Sequence, residues 1–133
     1  MGVDWQDLLQ VRRVREELGL SQQGLADLIG VSLRTVQSCE QGWRRPTAAL
    51  ERSLLLLLLA SRNGPDLGKR ACWDSSGSPP DACEQCLVRR SRQGHLCWLL
   101  TGNVCKGRRL RSWSSKKAVC GECRFLRRLL RGG

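Results

Sequence analysis

The sequence predicts a mainly α-helical protein: a bundle of four to five helices at residues 1–63, a linker at 64–71, and a small, irregular, basic cysteine-rich module at 72–133. Three observations support this fold class. Apolar residues recur every three or four positions in the first half, as they do along the buried face of a helix. Seven of the eight cysteines lie in the second half. The second half also carries 15 Lys and Arg against 5 Asp and Glu, whereas the first carries 8 against 7.

Local signals place the ends of the predicted helices. The first helix spans residues 4–18, in which apolar side chains recur at helical spacing, and Gly19 follows it. The next three helices begin after residues that commonly cap helix N-termini, namely Ser21, Ser32 and Thr47. The last helix runs to about residue 62, and the sequence Asn63-Gly64-Pro65 then predicts a domain boundary.

The fourth predicted helix contains an uninterrupted run of leucine, Leu54–Leu59. Successive helical residues are about 100° apart, so these side chains point in every direction around the helix. We therefore expect something besides the small bundle to cover part of the run, either a second subunit or the cysteine-rich half. A homodimer is the preferred interpretation. The alternative is a leucine-rich helix that leaves a few side chains exposed.

The segment Leu20–Gly42 has the features of two helices that cross at a steep angle. Ala26 is the small residue needed at their closest approach, and Gly30 suits a turn that requires positive φ. Further landmarks are Gly19-Leu20-Ser21-Gln22, Thr35-Val36, Glu40 and Arg45-Pro46. With these landmarks, residues 11–62 resemble the Cro/repressor-type (XRE-like) helix-turn-helix family. The resemblance implies a helical bundle whose third helix enters the major groove of double-stranded DNA.

The same resemblance implies which side chains contact DNA. They are Gln22, Ser32, Leu33, Arg34, Thr35, Gln37, Ser38, Arg44 and Arg45. The residues that would face bases are Ser32, Leu33, Arg34 and Ser38. Among them Arg34 would be the main reader, and Leu33 would contact a thymine methyl. Gln22 and the two arginines of the following loop would bind phosphates. Thr35 and Gln37 would make marginal contacts.

Cysteines at metal-ligand spacing distinguish the second half. The candidate ligands are Cys72, Cys83, Cys86, Cys97, Cys105, Cys120 and Cys123. Two CxxC pairs occur among them, Cys83/Cys86 and Cys120/Cys123, and a thiolate pair at this spacing can hold one metal ion from a single tight turn. Cys39, in the first half, is interpreted instead as a core residue, because free cysteine packs as a small apolar side chain.

The candidate ligands can be grouped in more than one way. Cys72-Trp73 and Cys97-Trp98 begin two degenerate repeats, of which the second holds four cysteines. The first holds three, and would recruit His95 or leave a coordination position open. The arrangement resembles bacterial "two-CW" cysteine-rich modules. Zinc is the expected cofactor, an iron–sulfur cluster is the alternative, and disulfides or thiols without metal stay open.

These features predict a cytoplasmic regulator of transcription that binds DNA sequence-specifically and does not enter membranes. The first residues include Asp4 and Asp7 rather than the apolar stretch of a secretory signal, and the longest apolar run is far shorter than the ~18 residues of a membrane span. The basic second half would be a metal-binding or redox-responsive module that senses a signal or adds affinity for polyanions. The alternative is an assembly adaptor whose cysteine module binds a partner protein. An enzyme is not expected, since no acid–base pair accompanies the thiols.

Overall fold

The computed structural model describes most of the chain as two compact units. The described residues are 3–69, 86–87, 96–100, 103–105 and 108–132. One unit comprises residues 4–61, and the other begins at Arg62 and includes Val3. No helix within the described residues is long and apolar enough to cross a membrane. The predicted division into domains at residues 63 and 72 stays a prediction.

Five helices build the first unit, in agreement with the mainly helical fold class that the sequence predicts. They are α1 Trp5–Leu8, α2 Val11–Leu18, α3 Gln22–Ile29, α4 Leu33–Glu40 and α5 Ala48–Asn63, of which α5 extends into the second unit. Side chains from all five helices or their connections are buried in its core, namely Leu9, Val11, Val14, Leu25, Ala26, Val36, Leu50, Leu54, Leu55, Leu58 and Leu59.

The single helix predicted at residues 4–18 is wrong, because the chain breaks between α1 and α2. Gln10, the N-cap residue of α2, has an extended backbone with φ −65° and ψ 124°. Residues two positions apart on a continuous helix lie about 200° apart and face opposite ways. The break allows both Leu9 and Val11 to be buried, which an unbroken helix would prevent.

The predicted caps are confirmed by hydrogen bonds. Ser21 Oγ accepts from the Gly24 N–H at 2.9 Å, and Ser32 Oγ accepts from the Thr35 N–H at 3.1 Å. Thr47 Oγ1 accepts from the backbone N–H three residues later at 3.2 Å. Each bond satisfies one of the amide donors that a helix start leaves without an intrahelical partner. These caps fix where α3, α4 and α5 begin.

The turn between α3 and α4 has the geometry that the sequence predicts. Gly30 has a φ of +74°, a conformation that costs residues with a Cβ steric strain. Its N–H donates to the Ala26 carbonyl at 2.9 Å, and the N–H of Val31 donates to the same oxygen at 3.0 Å. Ala26 is fully buried where the two helices meet. The small side chain and the glycine together therefore allow α4 to cross closely over α3.

The leucine run on α5 is largely buried within one chain. Leu54, Leu55, Leu58 and Leu59 have almost no accessible surface, whereas Leu56 and Leu57 are half-buried. Residues at spacings of three and four share a helix face, so the buried leucines form two adjoining stripes. The homodimer predicted from this run stays a prediction, and the half-buried pair is the part of the run that a second subunit could still cover.

The second unit contains more regular structure than the irregular module that the sequence predicts. A 3₁₀ helix, Gly64–Lys69, follows α5 within the predicted linker. Strands β1 Asn103–Cys105 and β2 Arg108–Leu110 form an antiparallel hairpin, and helices α6 Trp113–Cys120 and α7 Arg124–Leu130 follow. Its buried side chains include Trp98, Leu110, Trp113, Phe125, Leu126 and Leu129.

Two side chains at the end of α5 cap the C-terminus of α7 within this second unit. Arg62 Nη1 donates to the Leu130 carbonyl and Asn63 Nδ2 donates to the Leu129 carbonyl, each at 2.8 Å. The last carbonyls of a helix lack intrahelical donors, so these bonds satisfy groups that would otherwise need water. Residues 62–63 therefore belong structurally with α7.

Candidate nucleic-acid interface

Helix α4 presents one face to the core and another to solvent. Val36 is fully buried, and the half-buried Gln37 lies beside it. Arg34 projects from the first turn and is exposed. Because side chains three or four residues apart share a face, Arg34 and the half-buried Ser38 lie together on the outer side.

The outer side of α4 forms the floor of an open groove of about 450 Å³. Its described lining consists of Ser32, Arg34, Thr35, Ser38, Trp43 and Arg44. Five of the nine DNA-binding residues predicted from the sequence are thereby brought together at one surface. The sixth lining residue, Trp43, was not among them.

The loop after α4 is held against that helix by backbone hydrogen bonds. The Ser38 carbonyl accepts from the N–H groups of Trp43 and Arg44 at 3.0 and 3.3 Å. Gly42 makes this close return possible with a φ of +79°. Arg44 Nη1 then reaches Thr35 Oγ1 at 3.4 Å, and that hydroxyl lies 2.9 Å from Ser32 Oγ. These bonds thus hold the Arg44 guanidinium beside the first turn of α4.

Four predicted contact residues lie outside the groove lining. Gln22, the first residue of α3, donates through Nε2 to Glu40 Oε2 at 2.8 Å, which leaves its second N–H for another acceptor. Leu33 and Gln37 are half-buried on α4. Arg45 is exposed and lines a smaller, mainly apolar cleft next to the groove.

Positive charge dominates the groove. Arg34 and Arg44 contribute two guanidinium groups, and no acidic side chain occurs in the described lining. In the described chain Arg34 has no ion pair, whereas the Glu40 carboxylate on the same helix is bound by Arg15 and Gln22. An exposed cation beside hydroxyl groups and an aromatic ring can bind phosphates and can also form hydrogen bonds with base edges. Duplex DNA presents both kinds of group.

Comparison with known proteins identifies this arrangement. Residues 11–50 match a family model described as helix-turn-helix, and this stretch contains α2, α3, α4 and the loop that follows. Residues 11–50 form a helix-turn-helix domain. The match supports the XRE-like resemblance and the prediction of a DNA-binding regulator, because this family consists of such regulators rather than enzymes. No curated protein and no solved structure matches the chain.

Trp43 is the surface residue of the helix-turn-helix domain that sequence reasoning missed. Its side chain is 80% exposed, although an indole ring usually buries much of its area. The two N–H bonds to Ser38 fix its backbone, so the exposed ring stands next to Arg34 and Arg44. A signal was present in the sequence, since an aromatic residue between Gly42 and a pair of arginines has little reason to be there for folding.

Cys39 lies on the inner side of α4, as the core interpretation predicts. It is half-buried in the apolar cleft beside Val31 and Leu50. Burial raises the pKa of its thiol above the ordinary value of 9.0, and the nearby Arg44 guanidinium lowers it by less. The thiol is therefore protonated at neutral pH, which suits packing better than nucleophilic or redox chemistry.

The predicted metal ligands fall partly outside the described residues. Cys72, Cys83 and the alternative ligand His95 lie there, as does the side chain of Cys105. The other four candidates are buried: Cys86, Cys97, Cys120 and Cys123. The Cys123 N–H donates to the Cys120 carbonyl at 3.0 Å, so this CxxC pair forms a tight turn after α6. Within the described part of the chain, no three ligating side chains converge on one point.

Proposed function

We propose that this protein is a transcription regulator whose helix-turn-helix domain recognises a specific sequence of double-stranded DNA. The observation that carries the proposal is the groove on α4, where the exposed Arg34 lies beside hydroxyls and a second cation with no acidic side chain in the described lining. Helices of this family insert their N-terminal turns into the major groove. The exposed first turn of α4 is compatible with that mode.

Different chemical roles follow from the positions of the side chains. The Arg34 guanidinium can donate two parallel hydrogen bonds to O6 and N7 of guanine. Leu33 would contact a thymine methyl, and Ser32 and Ser38 would donate to bases or to nearby phosphates. Gln22, Arg44 and Arg45 would bind phosphates, which position the protein on DNA without reading sequence. Thr35 already bonds to Arg44 and would act by holding that cation in place.

Trp43 belongs to the same proposed surface. Its ring can pack on a deoxyribose or on the wall of the major groove, where an apolar contact removes water from both partners. An aromatic side chain on a fixed loop loses little conformational freedom on binding, because its backbone is already held by Ser38.

A homodimer is proposed because helix-turn-helix proteins of this type commonly read two half-sites about one helical turn apart. Leu56 and Leu57, half-buried on the outer part of the leucine run, are the candidate contact residues. The two subunits would then place their α4 helices in successive major grooves on the same face of the DNA.

A metal site in the second unit is also proposed, with zinc as the first candidate and an iron–sulfur cluster as the second. The tight turn at Cys120 and Cys123 fits a thiolate pair on one ion. Lys116 is fully buried one turn before Cys120, where its positive charge would offset a thiolate-rich centre.

Metal analysis and an absorption spectrum of anaerobically purified protein test the proposed metal site. Visible colour would support the iron–sulfur cluster, and colourless protein loaded with zinc would support zinc. Protein that contains neither would overturn the site.

Selection from a random duplex library tests the proposed DNA reading. We expect one preferred sequence, on which Arg34→Ala weakens binding by about 1–3 kcal/mol while binding to scrambled DNA changes far less. The control is Arg12→Ala, which removes an exposed arginine on α2 that is paired with Glu16. Equal losses on both DNAs, or a library that yields no preferred sequence, would overturn the proposal.

A further inference from the structure

Helix α7 carries a stripe of four arginines along one face, here named the arginine stripe: Arg124, Arg127, Arg128 and Arg131. These positions follow the spacing i, i+3, i+4 and i+7, which places them on one side of a helix. The four side chains line an open groove of about 510 Å³ whose described lining contains nothing else. The opposite side of α7 is buried through Phe125, Leu126 and Leu129.

The cations of the arginine stripe have no counter-ions in the described chain. The ion pairs of Arg12 with Glu16, Arg13 with Asp7, and Arg15 with Glu40 do not involve the stripe. All four arginines of the stripe are exposed. Glu122, two residues before the stripe, is exposed as well and makes no ion pair with it. Among the described residues, a polyanion would therefore have no carboxylate to displace from the stripe.

Stability of α7 accounts for only part of the stripe. Cations favour the C-terminus of a helix, where Arg127 and Arg128 occupy the last turn of α7, but they disfavour the N-terminus, where Arg124 is the first residue. Like charges three or four residues apart also repel one another, and the stripe contains four such pairs. Arg124 and the like-charge pairs therefore lower the stability of α7, and a bound polyanion would relieve the repulsion.

We propose that the arginine stripe binds the phosphodiester backbone of duplex DNA beside the sequence read by α4; this rests on the proposed function. From Arg124 to Arg131 the helix rises about 10 Å. Over that distance duplex DNA presents about six phosphates, counted on both strands. Four guanidinium groups, each able to donate to a phosphate oxygen, match this density of negative charge.

The shape of the stripe argues against two other anionic ligands. A helix that binds a lipid surface needs an apolar face to enter the headgroup region, but Phe125, Leu126 and Leu129 of α7 are buried in the protein. A single small phosphate could reach only part of a row about 10 Å long. An extended backbone of regularly spaced phosphates uses all four cations.

A salt titration of the full-length protein tests the proposal with matched charge changes. The stripe variant Arg124→Gln/Arg128→Gln is compared with Arg12→Gln/Arg13→Gln, which removes the same charge from exposed arginines of α2. Each phosphate contact adds about 0.9 to the slope of log affinity against log salt. We expect the stripe variant to lower the slope by about 2 and leave the preferred sequence unchanged, while Arg124→Lys/Arg128→Lys retains the slope of the wild type.

Each other outcome has a defined meaning. Equal slopes for wild type and stripe variant, or equal decreases in the stripe and α2 variants, would overturn the proposal, the second because only the net charge would matter. Binding to phosphatidylserine–phosphatidylcholine vesicles that the stripe variant loses, with an unchanged DNA slope, would overturn it in favour of a lipid surface. If the slope falls but the wild type has no sequence preference, the stripe proposal stands and the proposed sequence-specific function fails.

Discussion

The guanidinium of Arg15 on α2 grips one carboxylate oxygen of Glu40 at the end of α4. Nε and Nη2 of Arg15 donate to Oε1 of Glu40 at 3.2 and 2.8 Å, and the two side chains are only 17% and 5% exposed. Arg15 also donates to the Leu20 carbonyl at 3.0 Å, and Gln22 donates to the second Glu40 oxygen at 2.8 Å. One carboxylate therefore connects α2, the start of α3 and α4.

Removing this carboxylate should strongly destabilise the helix-turn-helix domain. Glu40→Ala leaves the shielded Arg15 cation without its partner, a situation that costs about 3–5 kcal/mol for fully buried pairs and about 2–3 kcal/mol at this partial exposure. Urea denaturation measures the change. Arg12→Ala is the control, because its pair with Glu16 is 72% and 60% exposed and is worth about 0.5 kcal/mol. Similar losses in the two variants would contradict the structural role of the Arg15–Glu40 pair.

Two double leucine-to-lysine variants of the leucine run on α5 should differ in whether the protein folds. Leu55→Lys/Leu58→Lys introduces charges at buried positions and should unfold the protein, since each lost leucine alone costs about 2–5 kcal/mol. Leu56→Lys/Leu57→Lys changes half-buried positions and should leave the helices folded. Circular dichroism measures the folding of both variants.

The second variant also tests the proposed homodimer. Light scattering should show a dimer for the wild type and a folded monomer for Leu56→Lys/Leu57→Lys, with weaker binding to the selected DNA. A folded variant with the association state of the wild type would show that these two leucines are outside any subunit contact.

The burial of the Cys39 thiol should make the free energy of unfolding depend on pH in the alkaline range. Burial raises its pKa in the folded protein, so the folded state retains a proton that the unfolded state has already lost. The stabilisation is complete below the ordinary value of 9.0 and is lost as the pH rises through the higher folded value. The free energy of unfolding of wild type minus that of Cys39→Val should therefore fall above about pH 9.0. A difference that stays flat or rises with pH would contradict this environment for the thiol.

Much of the first unit could be predicted because its signals are local. Ser21 and Ser32 cap helices through an N–H three residues later, and Gly30 makes the turn through its own backbone. The break at Gln10 could not be predicted, because it exists so that Leu9 and Val11 can both reach the core. Burial of both residues depends on how the other helices pack, and the sequence around Gln10 contains no glycine or proline that would indicate a break.

In the second unit, local sequence signals indicate the helices but not how the cysteines are grouped. Ser112 caps α6 by accepting from the Ser115 N–H at 3.1 Å, and a serine is a residue that commonly begins a helix in this way. The arginines from Arg124 to Arg131 have the spacing of one helix face, and the apolar Phe125 and Leu129 between them are buried on the other side of α7. How cysteines distant in sequence are grouped depends on tertiary structure, so the ligand sets stay predictions.

The exposed ring of Trp43 should contribute to DNA binding but not to stability. Trp43→Ala should leave stability within about 0.5 kcal/mol of the wild type, because the side chain is 80% exposed and is not part of the core. If DNA covers about 40 Å² of the ring, at about 25 cal/mol per Å², the variant should lose about 1 kcal/mol of binding, or about fivefold in Kd. Trp43→Phe keeps an apolar ring and should retain most of the affinity.

Fluorescence quenching decides whether the ring itself is covered. In the unbound protein the exposed indole of Trp43 should be quenched readily by acrylamide, and addition of the selected duplex should protect it. The same titration of Trp43→Phe removes this one indole and leaves the other tryptophans as a background, so the protection should disappear. Equal protection in the two proteins would place the effect at another tryptophan and would exclude Trp43 from the DNA contact, even if its alanine variant bound weakly.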